Sequence, residues 1–128
     1  MKVMIFGTFD NLHLGHKFVL DSASGKGNIF VVIARDSSVQ KIKGNMPSQT
    51  ENIRLKAIKD MYPEFEVILG DEHDYLAPVR AISPNLILLG YDQRFPPSVK
   101  EEDLNCNIER LEPFEEEKWK TSLLRKKS

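Results

Sequence analysis

Five short apolar runs, set between stretches of helical spacing, limit what this chain can fold into. The runs cover residues 3–6, 29–34, 65–69 and 86–89, with a weaker fifth at 107–111. Each has the length of a strand, and several are rich in valine and isoleucine. Near-continuous apolar runs suit strands buried on both faces, the condition of a parallel sheet covered on two sides. The intervening stretches carry a different period. Residues 16–23 hold Phe18, Val19 and Ala23; residues 49–61 hold Ile53, Ala57, Ile58 and Met61 on one helical face; residues 74–82 hold Leu76, Val79 and Ile82. Thr50 can cap the second helix through its hydroxyl, and the Ser83-Pro84-Asn85 triplet stops the third.

Strands alternating with helices predict an α/β domain with a mostly parallel sheet, with right-handed crossovers placing helices on both faces. In such sheets ligands gather at the carboxyl ends of the strands, near the point where strand order reverses. The loops to inspect are therefore residues 7–16, 35–43, 70–73 and 90–95.

With 128 residues the chain is expected to form one domain, residues 1–128, with a core that needs no disulfide or structural metal. A net charge of −1 argues against nucleic-acid binding driven by charge alone. The lone cysteine, Cys106, cannot pair within the chain, so a reducing, cytoplasmic setting is the expectation. The first apolar run lacks the layout of a signal peptide, and no stretch approaches the roughly 20 apolar residues that span a bilayer.

The first loop, GTFDNLHLGH, holds two of the three histidines. Gly7 permits close backbone approach after the strand, and Gly15 clears space between His13 and His16 at a helix start. Free N–H groups and partial positive charge at a helix start attract an anion, so both histidines can act as donors to phosphate. A zinc site competes with this reading, but zinc wants three or four protein ligands, and only distant His73 and Cys106 remain. An ordinary surface pair is the third reading, and it leaves the two glycines unexplained.

GTFDNLHLGH resembles the signature of the cytidylyltransferase-like nucleotidyltransferases, with its H-x-G-H at positions 13–16. IARDSSVQKIKG, ILGD, LILLGYDQRF and KWKTSLLRKK follow in the order and spacing of the archaeal-type FAD synthases, so the resemblance spans nearly the whole chain. It implies a Rossmann-like three-layer α/β/α domain with a mostly parallel five-stranded sheet. The implied reaction moves AMP from ATP to FMN, giving FAD and pyrophosphate without a covalent enzyme intermediate. Alignment and charge neutralisation would carry such chemistry. A divalent cation, Mg2+, would arrive with ATP, since Mg2+ prefers phosphates and water to a cage of carboxylates. Homodimers, usual in such families, are implied as well.

The same resemblance assigns roles. His13, His16 and Lys43 become catalytic. Gly7, Thr8, Phe9, Asp10, Gly15, Gly90, Asp92, Thr121 and Ser122 join the two histidines in holding the nucleotide. For Asp10, next to a triphosphate, the alternatives are a bridging Mg2+ or the orienting of a neighbour. Lys41, Arg54, Tyr91, Arg94 and Trp119 fall to the acceptor. Lys41 and Lys43, read as part of an extended loop, point to opposite sides, so one of them enters the site. Arg54 is either a phosphate ligand or a surface arginine. Tyr91 and Phe95 can stack on a flat ring. Glycerol-3-phosphate cytidylyltransferase and phosphopantetheine adenylyltransferase share the H-x-G-H and stay open as alternatives, as does a nucleotide sensor without turnover.

Overall fold

The computed structural model describes residues 1–91, 93–96 and 99–113. Its elements run β1 (Lys2–Gly7), α1 (Leu14–Ala23), β2 (Asn28–Ile33), α2 (Asp36–Lys43), α3 (Glu51–Met61), β3 (Glu66–Leu69), α4 (Ala77–Ile82), β4 (Leu86–Leu89) and β5 (Asn107–Arg110). A single 3-10 turn, Glu101–Asp103, precedes β5. The five strands form one sheet in the order β3-β2-β1-β4-β5. Every pairing is parallel, with Ile5 beside Val31, Val31 beside Val67, Met4 beside Ile87 and Leu88 beside Glu109. The α/β fold expected from the sequence is therefore present, with a sheet that is wholly parallel.

The strand period of two divides the core. Val3, Ile5, Ile29, Val31, Ile33, Val67 and Leu88 face Leu20 and Ala23 of α1 and Ile58 of α3. Met4, Val32, Ile87 and Leu89 face the other way, toward Ile82 of α4 and Leu104. Burying one such side chain contributes about 1.5–3 kcal/mol, so a charge at fully buried Val31 would open the layer against α1 and α3. β5 closes the edge with polar, exposed Asn107, Glu109 and Arg110, a composition that discourages further strand pairing.

The helix ends follow the residues. Thr50 Oγ1 accepts from the Ile53 N–H at 3.4 Å, the cap expected from the sequence. Ser83 leaves α4 in a left-handed turn, φ 51°, just before Pro84. One helix departs from expectation. Residues 36–43, read as loop, form α2, which Gly44 terminates at φ 82°. Only Val39 and Ile42 are apolar in it, so few residues mark its buried side. Among the described residues no helix is long and apolar enough to cross a membrane.

The chain winds outward from β1 through β2 to β3, then crosses back to place β4 on the other side of β1. Strand order reverses at β1 and β4, and the loops leaving those strands open onto a shared crevice.

Candidate active site

A cavity of about 960 Å3 lies at that crevice, reaching from the loop after β3 to the loop after β4. A smaller one of about 320 Å3 adjoins it under residues 45–47. Thr8, His13, His16, Val39 and Lys43 line both, so these five side chains stand where the two spaces meet.

The loop after β1 is shaped from its first residue. A side-chain carbon on Gly7 would come within 3.0 Å of the Phe9 ring. The missing side chain thus makes room for Phe9 rather than for a ligand, although Gly7 lines the cavity. Phe9 itself adopts φ 52° and is buried in the core, with its ring edge-on to His16 at 5.4 Å. Phe9 thus props His16 from the core side while also lining the cavity.

The two imidazoles are oriented by the start of α1. The Gly15 N–H donates to His13 Nδ1 at 3.1 Å, and the His13 N–H donates to His16 Nδ1 at 3.4 Å. The rings stack, with centroids 3.8 Å apart and planes 22° apart. An Nδ1 that accepts a hydrogen bond carries no proton, so each ring keeps its proton on Nε2 and has that group to donate. Burial lowers the His16 pKa to about 4, helped by His13 and Lys43 and opposed by Asp10. His16 is therefore a neutral donor near pH 7.

Lys43 comes from the last turn of α2 and donates to Thr8 Oγ1 at 3.3 Å. Lys41 is exposed and is not among the residues lining either cavity. The separation expected between the two lysines holds, but through helix geometry: two positions on a helix differ by about 200° of rotation.

Asp10 keeps one of its two expected roles, and Arg54 keeps neither. Asp10 faces the backbone of the 45–50 loop. Its carboxylate accepts from the Ser48 N–H at 2.7 Å and the Gln49 N–H at 2.9 Å, and the Ser48 bond is the main reason its pKa is lowered. Of the two roles considered for it, orienting a neighbour is the one its bonds display. Arg54 is neither a phosphate ligand nor a surface residue. It is fully buried, and its guanidinium donates to the Thr8 carbonyl at 2.7 Å, the Gln49 carbonyl at 3.1 Å and the Asp36 carboxylate at 2.7 Å. All three partners belong to the protein, which leaves Arg54 with a framing role. Glu51 extends the frame by accepting from the Asp36 N–H at 2.9 Å and from Arg35 at 3.1 Å.

Across the crevice, Gly90, Tyr91 and Arg94 line the large cavity, the last two as exposed rim residues. Phe95 stacks on Phe6 at 5.8 Å, so its flat face already has a partner within the protein. Two residues that the sequence did not single out hold this loop. Gln93 accepts from the Gly90 N–H and donates to the Phe6 carbonyl. Arg110 at the end of β5 donates to the carbonyls of Gly90, Tyr91 and Gln93 at 3.0, 3.2 and 2.7 Å. Asp92, Trp119, Thr121 and Ser122 lie outside the described residues.

Residues 4–127 match the family model described as cytidylyltransferase-like. The chain belongs to the cytidylyltransferase-like family. Within that family's reach, a Thermoplasma acidophilum protein named FAD synthase is 36% identical, with 99% of this chain and 93% of the relative aligned. A Methanosarcina mazei protein of the same name is 43% identical over 80% of this chain and 68% of its own length. A crystal structure of a lipopolysaccharide core biosynthesis protein from Thermoplasma volcanium superposes with TM-score 0.80 and 35% identity, covering 90% of this chain and 98% of that one. A protein of unknown function from Archaeoglobus fulgidus, at TM-score 0.64 and 21% identity, shares the fold.

Proposed function

We infer that this chain is an FMN adenylyltransferase, transferring AMP from ATP to FMN and releasing pyrophosphate. Family membership and relatives named FAD synthase support the reaction. The observation that carries the site assignment is the stacked imidazole pair with both Nδ1 atoms satisfied by backbone N–H groups.

On this reading an oxygen of the FMN phosphate attacks the α-phosphorus of ATP. The new O–P bond becomes the pyrophosphate bridge of FAD. The bond from the α-phosphorus to the β-phosphate oxygen breaks, and its electron pair leaves with pyrophosphate. The Nε2–H groups of His13 and His16 donate to the oxygens where negative charge grows, and the Lys43 ammonium balances charge from the side of α2. Donors already held in place need little rearrangement as the charge develops. The loop after β4, with Gly90 and Asp92, serves the nucleotide. Thr121 and Ser122 serve its outer phosphates, and Tyr91, Arg94 and Trp119 lie toward the acceptor. Mg2+ enters with ATP as part of the substrate, held by phosphate and water. Asp10, with both oxygens engaged by amides, fits this sparing use of protein ligands.

The test supplies ATP or CTP with FMN, glycerol 3-phosphate or phosphopantetheine, and follows pyrophosphate release together with FAD fluorescence. FAD formed from ATP and FMN is the expected result; none under any divalent-metal condition overturns the reading. His16→Ala should lower turnover about 10²-fold. Near-normal turnover in that variant would remove His16 from the mechanism.

A further inference from the structure

Ser38 is 4% exposed, and its Oγ is buried without a hydrogen-bond partner among the described residues. Other atoms of Ser38 line the large cavity, so rotation about its Cα–Cβ bond brings Oγ to that wall. A helical serine has an easy remedy, a bond to the carbonyl one turn earlier, and Ser38 does not use it. Buried hydroxyls left unpaired are rare, and those that persist call for a ligand or a water to complete them.

Position narrows the ligand. Ser38 lies on α2, which follows β2, whereas the Gly90 loop follows β4, and β2 and β4 flank β1 on opposite sides. The histidine pair at the end of β1 stands between these two sides. With the nucleotide on the β4 side, the β2 side falls to the phosphate acceptor. There Val39, Ile42 and Val79 give the cavity apolar wall, and Arg35, Asp71 and Tyr75 line it as well. A hydroxyl set beside apolar wall suits a flat ring with little polarity on one edge and carbonyl or N–H groups on the other, since a hydroxyl both donates and accepts.

We propose that Ser38 is a specificity-determining residue that hydrogen-bonds the polar edge of the acceptor's ring, the isoalloxazine of FMN. This rests on the adenylyltransferase reading above. The test compares wild type with Ser38→Ala in three measurements: KM for FMN, KM for ATP, and thermal midpoint with and without FMN. Loss of one neutral hydrogen bond should raise KM for FMN about three- to tenfold while KM for ATP stays within about twofold. Because the hydroxyl is unpaired without substrate, its removal should leave the substrate-free midpoint unchanged or higher, and the midpoint gain from FMN should shrink. An unchanged KM for FMN, a rise confined to ATP, or a lower substrate-free midpoint would each overturn the assignment. Failure of the underlying reading looks different: wild type itself would then make no FAD. Wild-type activity with an indifferent Ser38→Ala defeats the serine assignment alone.

Discussion

The loops on the two sides of the crevice are braced in different ways. The loop after β1 is tied by ionised groups: Arg54 to its Thr8 carbonyl and to Asp36, and Asp10 to the backbone of residues 48 and 49. The brace joins α2, α3 and the histidine loop, and its central guanidinium is fully buried. The loop after β4 is tied by a glutamine and by one exposed arginine whose partners are three neutral carbonyls, with no ion pair among these bonds. Ion pairs out of water fix geometry but tolerate no missing member, whereas carbonyl bonds near solvent are readily replaced by water. The side that carries the histidine pair has the unforgiving brace. The side that carries Gly90 has the forgiving one.

Breaking the first brace should give the largest effect. Arg54→Ala leaves the Asp36 carboxylate without its cation and two carbonyls without donors, and such removals from buried pairs cost about 3–5 kcal/mol. Urea denaturation should show this as a lower midpoint. Arg54→Lys separates charge from shape: a lysine cannot span Asp36 and the Thr8 carbonyl with a planar fork. Its folding stability should recover in part while turnover stays low, because the histidine loop remains loose. Full recovery of turnover in Arg54→Lys would show that charge alone matters and would erase the contrast.

The second brace should matter less. Arg110→Ala removes bonds to Gly90, Tyr91 and Gln93, yet Arg110 is exposed and water can reach those carbonyls. The expected outcome is a rise of less than about tenfold in KM for ATP, with little loss of stability, since exposed charged side chains contribute modestly. Steady-state kinetics and a thermal melt on one preparation check both halves. A loss of stability matching that of Arg54→Ala would mean that the two loops are braced alike.

The two braces were also unequally legible beforehand. The strands showed in the sequence because a doubly covered parallel sheet demands unbroken apolar runs. The His13 and His16 pair showed because Gly7 precedes it at the strand end and Gly15 lies within it. Arg54 was misread because its partner Asp36 starts α2, and that helix carries too few apolar residues to announce itself. Its punctuation was present, Asp36 at the start and Gly44 at the end, but with only two apolar residues between them the stretch reads as loop. Arg110 left no trace, because its partners are backbone carbonyls and no residue type marks a carbonyl. Ser38 was invisible for a related reason: what distinguishes it is the lack of a partner, a property of packing.

The smallest expected effect concerns the histidine that the strong brace positions. With its pKa lowered from 6.5 to about 4, His16 binds a proton in the unfolded chain at a pH where the folded chain leaves it neutral. Between those values the unfolded state holds more protons, so stability rises with pH across that window and is lost as pH falls from 6.5 toward 4. The ring is half-buried, so screening should keep its share below about 1 kcal/mol. Thermal melts across the window should therefore decline toward acid in wild type and decline less steeply in His16→Asn, which cannot take up the proton. A triphosphate beside the ring favours the charged form, so within that acid window ATP binding should draw in protons there, measurable as buffer-dependent heat in calorimetry, while near pH 7 the ring stays neutral. Equal slopes for wild type and His16→Asn would mean that the ring titrates normally, and the lowering by burial assigned to it would have to be given up.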